Sequence, residues 1–261
     1  VKGRLDVFDI DLLQSRLTGS WGRSAVALDV TSSTMDDAAA AAAEGAADGH
    51  LIVADRQESG RGAHGRTWES PGGTDLYFSI VARPQLDPSS IALVTLATGL
   101  GVRDAVASLV PGLEVQVKWP NDVWIDEKKC AGVLVESRMT GPAIDSVILG
   151  VGLNVNRLEW PDELRPIATS IREARGGDPL DRVEVLASVV GRIESWVGRL
   201  IAHGAQSLVD VLRSHLALVG RRVAWEDGEG VFEGVAASGA ALVRTESGLK
   251  TLHAARILPV D

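Results

Sequence analysis

Two rhythms of apolar and polar positions run along this chain and divide it into elements. Short apolar or alternating runs predict strands at "AVALDV" (25–30), "LIVADRQ" (51–57), "DLYFSIVAR" (75–83), "LEVQVKW" (113–119), "DVWID" (122–126), "CAGVLVESRM" (130–139) and "AIDSVILGVGLNVN" (143–156). Apolar residues at helical spacing predict helices at "DIDLLQSRL" (9–17), in the Ala-rich stretch after "TSST", and over 88–110, where Pro88 opens the run and Pro111-Gly112 follows it. Ser33 or Thr34 is placed to cap the Ala-rich helix, Asp36 and Asp37 favour its first turn, and Gly45 or Gly49 ends it. Tight "PN" and "EKK" turns join the central strands into a mostly antiparallel run. A loop holding Pro161 and Pro166 then leads to two more helices, 181–204 closed by Gly204 and 205–220 closed by Gly220.

From Arg221 the character changes to four or five short strands separated by "DGEG", "ASGA" and "ESG", which predict a small barrel. The expected architecture is α/β in the α+β sense: a mixed, largely antiparallel sheet flanked by helices over 1–218, then a small barrel over 219–261. There is no internal repeat and no low-complexity linker.

Composition narrows the function classes. With 261 residues and 45% hydrophobic content the chain can bury a full core. A formal charge of -9 works against the general phosphate attraction of non-specific DNA or RNA binding, so any anion site must be a local cluster of cations. The single Cys130 excludes an internal disulfide and C-x-x-C zinc sites, and it reads as a small strand residue rather than a nucleophile. The five histidines show no metal-ligand spacing, and no apolar run is expected to approach the roughly 20 residues that cross a bilayer. The N-terminal stretch, broken by Asp6, Asp9 and Asp11, does not read as a signal peptide. A cytoplasmic protein is expected.

Candidate chemistry lies in four stretches. "SGRGAHGRTWESPGG" (59–73) gathers Gly60, Gly62, Gly65, Gly72 and Gly73 with Arg61 and Arg66 around Trp68, between two predicted strands. It lacks the Lys-Ser/Thr of a P-loop, and Gly150-Val151-Gly152 lacks the third glycine and the following helix of a dinucleotide fingerprint. Residue chemistry alone leaves a phosphate cradle and a glycine-rich turn both open. Lys118-Trp119-Pro120-Asn121-Asp122 reads equally as a hairpin turn, Lys129 with Gly132 as an exposed turn lysine beside a strand glycine, and Asn154, Ser33 and Thr34 as caps.

Taken together and in order, these stretches resemble the catalytic domain of the biotin protein ligases. Gly60 to Trp68 meets the pattern Gly-Arg-Gly-Arg-x-Gly-Arg-x-Trp except at Ala63, while "KWPNDV" and "KCAGVLVE" match the patterns that follow it. "SST", "GVGLNVN" and "ATS" fall where members carry theirs, and the resemblance covers roughly 25 to 261. It implies a catalytic domain similar to class II aminoacyl-tRNA synthetases plus an SH3-like barrel. It implies an ATP-dependent, AMP-forming ligase that makes biotinyl-5'-AMP and transfers biotin to one lysine of a biotin carboxyl carrier protein. By the same resemblance Lys129, Arg61, Arg66 and Asp122 would be catalytic. Biotin would meet Ser33, Thr34, Gln57, Gly60, Arg61, Lys129, Gly132, Gly150 and Gly152. ATP would meet Arg61, Arg66, Trp68, Lys118, Asn121, Asp122, Lys129 and Asn154, with Mg2+ on Asn121 or Asp122. The Gly-rich stretch would act as a lid ordered by ligand.

Two residues depart from the pattern: Met35 stands where Asn commonly follows Ser-Thr, and Ala63 replaces a lid arginine, so the adenylate is expected to leak and label nearby lysines unless His64 compensates. Too few residues precede Ala25 for the winged helix-turn-helix of DNA-binding relatives, so a monofunctional ligase without DNA binding, monomeric or homodimeric, is expected. The rival readings are a lipoate or octanoyl transferase of the same fold, and a biotin-binding protein that has lost transfer.

Overall fold

The computed structural model describes residues 8–260. Helix α1 (Ile10–Arg16) is capped by Asp9, whose side chain accepts the Leu12 N–H at 2.9 Å. Strand β1 (Ala25–Thr31) runs through helix α2 (Thr34–Ala43) into a parallel partner, β2 (His50–Gln57). Strand β3 (Leu76–Ala82) precedes the long helix α3 (Ile91–Leu109). Four strands then follow: β4 (Val115–Lys118), β5 (Asp122–Ile125), β6 (Lys128–Thr140) and β7 (Ala143–Leu153). The seven strands form one sheet in the order β1-β2-β3-β7-β6-β5-β4, antiparallel apart from the β1–β2 pair. Short helix α4 (Ile171–Arg175) and long helix α5 (Arg182–Leu212) complete this part.

The period of two in the strands assigns the two faces of the sheet. Leu51, Val53, Phe78, Ile80, Leu149 and Val151 point to the main core, where α3 and α5 pack. Their alternates Ile52, Val81 and Ile148 meet α2 in a second, smaller cluster with Met35, Ala38 and Ala42. Gly150 and Gly152 share the α2 face with Ile148, and they pair across the sheet with Ser79 and Tyr77. Gly132 pairs with Gly152, so a glycine floor is laid on that face by register alone.

Helix α3 packs so closely on α5 that a Cβ on Gly101 would stand 2.7 Å from the Ile193 backbone. By length and hydropathy alone, Pro88–Leu109 reaches what a bilayer crossing takes, contrary to the sequence expectation. Its apolar surface is instead used against the sheet and α5.

Two boundaries differ from the sequence reading. Gly204 breaks α5 as expected, with φ 72° and ψ -179°, but the helical run after it ends at Leu212 rather than near Gly220. Residues beyond Leu212 are drawn to the edge of β4, where Val117 N–H donates to His215 O at 2.7 Å and Ala217 N–H donates to Val117 O at 2.9 Å. Helix α4 was not expected in the Pro-rich connection. It starts at Ser170, whose hydroxyl accepts the Glu173 N–H at 3.0 Å.

The C-terminal strands β8 (Arg222–Trp225), β9 (Gly228–Val235), β10 (Ala241–Thr245), β11 (Gly248–Leu252) and β12 (Leu258–Pro259) form a second antiparallel sheet in the order β11-β10-β9-β8-β12. Val223, Phe232, Val243 and Ile257 give it a core, in keeping with a small SH3-like unit. Trp119 Nε1 donates to Gly239 O at 2.9 Å in a buried contact and ties this sheet to the end of β4.

Candidate active site

A cavity of about 570 Å³ opens on the glycine-floored face of the main sheet. Its walls come from the α2 start, the Gly-rich segment, the β4–β5 hairpin, β6, the loop after β7 and the C-terminal strand region. The floor is flat because side chains are absent where others must lie. A Cβ on Gly152 would stand 2.3 Å from Trp68 Cε2, one on Gly132 would stand 2.8 Å from Trp68 Cζ3, and one on Gly150 would stand 2.3 Å from Met35 Sδ. Met35, met in the sequence only as a departure from pattern, is therefore a wall of the site.

The sequence-predicted biotin residues fall into two groups. Ser33 occupies the N-cap position of α2 without capping it, and its buried Oγ has no hydrogen-bond partner although it lines the cavity. That removes the simple capping explanation. Thr34 and Gln57 instead form a network: Gln57 Oε1 accepts from Thr34 N–H at 2.9 Å, Gln57 Nε2 donates to Ser70 Oγ at 2.9 Å, and Thr34 Oγ1 bonds Ser79 Oγ at 2.9 Å. Gly60 is required beside them, since a Cβ would press on Trp68 O at 2.5 Å and Ser70 Oγ at 2.6 Å. The network thus fixes the root of the Gly-rich segment, and Trp68 N–H closes it by donating to Gly60 O at 2.8 Å.

Lys129 stands at the edge of the floor. Its Nζ lies 2.6 Å from Asp122 Oδ1, an ion pair without hydrogen-bond alignment, and 5.1 Å from the centre of the Trp68 ring. Lys118, buried at 4% exposure, is paired in register with Asp122 and faces Trp124. Burial pushes its ammonium down to about 8; Lys129, Arg256 and Arg66 push the same way, and Asp122 opposes them. Lys118 therefore loses its charge as pH rises through about 8. We expect kcat/KM for ATP to decline through that range, and Lys118→Arg, which cannot titrate there, to carry the plateau to higher pH in initial-rate profiles.

The remaining predicted residues are placed as follows. Arg61 turns toward Asp36 at 2.9 Å and Glu136 at 3.2 Å. Arg66 lines the cavity, and among the described residues its side chain bonds only Ala63 O, through Nε at 3.2 Å. Asn121 donates Nδ2 to Val133 O at 2.8 Å and so locks the hairpin to β6. Asn154 donates Nδ2 to Thr169 O at 3.0 Å, which joins "GVGLNVN" to "ATS". Cys130 is buried and burial pushes its thiol up, in line with its reading as a strand residue. Among the described residues no three His, Cys, Asp or Glu side chains gather into a metal site.

Sequence reasoning missed Arg157, Trp160 and Arg256. Arg157 is buried, paired with Glu69 at 2.6 Å and stacked on Trp160 at 4.6 Å, and all three line the cavity with Arg256. Arg157 follows "GVGLNVN" directly, a positional signal that could have singled it out. Arg256, far along the chain, offered none.

The fold and this floor define a class. The chain belongs to the biotin/lipoate A/B protein ligase family, which matches residues 27–154. Within that class its relatives are biotin ligases. The bifunctional ligase/repressor BirA of Bacillus subtilis is 32% identical over 242 residues, covering 90% of this chain and 74% of that protein. The biotin--[acetyl-CoA-carboxylase] ligase of Mycobacterium tuberculosis is 37% identical over 183 residues, covering 69% of this chain and 66% of the relative. The biotin protein ligase of Aquifex aeolicus, solved in complex with biotin and ATP, superimposes with a TM-score of 0.78 at 31% identity, covering 91% of this chain and 99% of that one.

Proposed function

We propose that the protein is an ATP-dependent biotin protein ligase acting in the cytoplasm on a biotin carboxyl carrier protein. The observation that carries this reading is the glycine floor with Lys129 at its edge and the unpartnered hydroxyl of Ser33 beside it. The glycines let Trp68 and Met35 lie close against the sheet, so that an acyl chain meets an apolar, aromatic-walled slot, and a polar head group finds Ser33. In the first step a carboxylate oxygen of biotin attacks the α-phosphorus of ATP, and the bond to the β-phosphate oxygen breaks to release pyrophosphate. In the second step a neutral lysine amine of the acceptor attacks the acyl carbon and AMP leaves. Lys129 neutralises charge where two anions must meet, and Lys118 and Arg66 hold the phosphates. Gly132, Gly150 and Gly152 bring backbone close to the ligand, Gly60 lies outside the cavity lining and serves by seating the Gly-rich segment, and Asn154 and Trp68 border the nucleotide. Mg2+ needs only one or two protein oxygens when nucleotide phosphates supply the rest. Asp122 suits that part better than Asn121, because an anionic carboxylate is a stronger ligand for a hard dication than a neutral amide oxygen; the ion would neutralise polyphosphate charge. The catalytic unit would end near residue 218 and the small barrel would occupy 219–261.

Incubation with ATP, Mg2+ and either biotin or lipoate, following pyrophosphate release and transfer to a purified carrier domain, tests the reading. Biotin-dependent transfer is expected. Lipoate-dependent transfer, or tight biotin binding without turnover, would replace it with one of the rivals.

Ala63 adds a property to this activity. It opens a 3-10 turn, Ala63–Gly65, on the cavity wall and offers no donor there, while Arg61 is held by Asp36 and Glu136. With fewer cations over the acyl phosphate the adenylate escapes. We expect biotin to appear on bystander albumin, and Ala63→Arg to lower that labelling about tenfold, the worth of one charge-assisted contact. Absence of labelling in both forms would sink the leak.

A further inference from the structure

Outside the cavity lining, where the Gly-rich segment rejoins the sheet, Asp75 and Tyr77 form a buried polar cluster that the ligase chemistry does not use. It lies beside the glycine floor, since Tyr77 is the register partner of Gly152. Asp75 is fully buried, a costly place for a carboxyl unless it organises several donors. It does so here. Its Oδ1 accepts the Val155 N–H at 2.9 Å, and its Oδ2 lies 3.2 Å from the Tyr77 hydroxyl, which also donates to Pro71 O at 3.0 Å. Burial pushes the carboxyl up, and the Val155 N–H, the Arg157 charge and the Tyr77 hydroxyl pull it back. The cluster thus joins the end of the Gly-rich segment to the loop after β7. Further contacts run the same way: Asn156 N–H donates to Thr74 O at 3.0 Å, and Arg157 pairs with Glu69 at 2.6 Å. From β2, Asp55 accepts the Gly73 N–H at 3.0 Å and pairs with Arg182 at 2.7 Å, and Arg182 donates to Asp75 O at 3.1 Å. The Gly-rich segment carries Arg66 and Trp68 to the cavity, and the loop after β7 carries Asn154 and Arg157. A shift at the root of either one strains the Asp75–Tyr77 cluster.

We propose that Asp75 and Tyr77 are positioning residues: as a buried latch they join the wall that closes over the acyl group to the wall that borders the nucleotide, so that ordering one wall orders the other. Whichever ligand binds first then lowers the ordering cost of the second, and the two bind with positive cooperativity within one chain. Neither residue touches a ligand. Their effect is on how the two subsites act together, not on the chemistry at Lys129.

The identity of the two ligands rests on the ligase reading, and the experiment separates that reading from the latch. Biotin is titrated calorimetrically into wild type, Tyr77→Phe and Asp75→Asn, with and without α,β-methylene-ATP, and the ratio of the two affinities is the coupling factor. We expect the nucleotide analogue to tighten biotin about tenfold in wild type and no more than about twofold in Tyr77→Phe, which keeps the buried ring and removes only the hydroxyl. Asp75→Asn keeps an acceptor for Val155 and a polar group beside Tyr77, so it should recover most of the coupling. A merely structural loss would weaken each ligand alone and leave the ratio in place. In hydrogen exchange without ligand, the amides of Gly73, Val155 and Asn156 should exchange faster together in Tyr77→Phe. No coupling in wild type, or an unchanged factor in Tyr77→Phe, overturns the latch. Should wild type fail to bind biotin or the analogue, the ligase reading falls and exchange decides: joint acceleration in Tyr77→Phe upholds the latch, and unchanged or separate exchange overturns it.

Discussion

Lys129→Gln is expected to lower biotin-dependent pyrophosphate release by about 10²–10³ while leaving the protein folded, the range seen when one donor to a developing charge is removed. The reason is positional. Arg61 is engaged by Asp36 and Glu136, and Arg66 lies on an exposed segment, so Lys129 is the cation anchored on a strand next to the glycine floor. Its pairing with Asp122 costs little to exchange, because neither side chain is fully desolvated, at 27% and 15% exposure. The ammonium can therefore turn from carboxylate to ligand without crossing a large barrier. The substitution removes the Asp122 partner as well, so biotin affinity and thermal midpoint are measured with the rate. Lys129→Arg, which keeps the charge but changes its shape, should recover only part of the activity. Retention of more than a third of wild-type release by Lys129→Gln, with biotin still bound, would remove Lys129 from the chemistry.

Strands were readable from the chain because each buries at least one face, and the apolar runs at 51–57, 75–83 and 143–156 had no other place to go. The break at Gly204 was equally plain, since a positive φ is what a glycine inside a helical pattern signals. The failure after Leu212 has a different cause. Residues 213–220 have helical periodicity, yet the open edge of β4 offers backbone partners, and a pairing between segments about a hundred residues apart leaves no local mark. Helix α4 did leave one: Ser170 and Glu173 stand at capping-box spacing, which the surrounding prolines and loop residues obscured.

The site shows the same division. Lys118, Asp122, Lys129, Gly132, Gly150 and Gly152 lie in contiguous motifs on the strands or their ends and all line the cavity, whereas Gly60 lies outside its lining and shapes the root of the Gly-rich segment. What the motif could not say is which side chains are already spent. Gln57, Asn121 and Asn154 commit their amides to neighbouring protein groups, whereas Ser33 keeps a buried hydroxyl free. Arg256 enters only through the packing of the small sheet against the β4 end, a tertiary fact.

Gly152→Val is expected to abolish measurable biotin binding, a loss of at least about 100-fold, because a filled floor has no slot. The position itself accepts the change: Gly152 is extended, β7 is regular there, and valine is a strong strand former. What cannot accept it is Trp68, whose Cε2 and Nε1 would stand 2.3 and 2.4 Å from the new Cβ. The indole must move off the floor, which strains the Gly-rich segment through the Trp68–Gly60 bond and should cost about 1–3 kcal/mol of stability. Steric blockage and displacement of Trp68 can be told apart by a double-mutant cycle with Trp68→Ala. If the floor is the binding surface, Trp68→Ala, Gly152→Val still fails to bind biotin in calorimetry, while the stability cost assigned to the valine largely disappears because the indole is gone. Recovery of binding in the double variant would mean that the glycine exists to seat Trp68, with the ligand held elsewhere in the cavity.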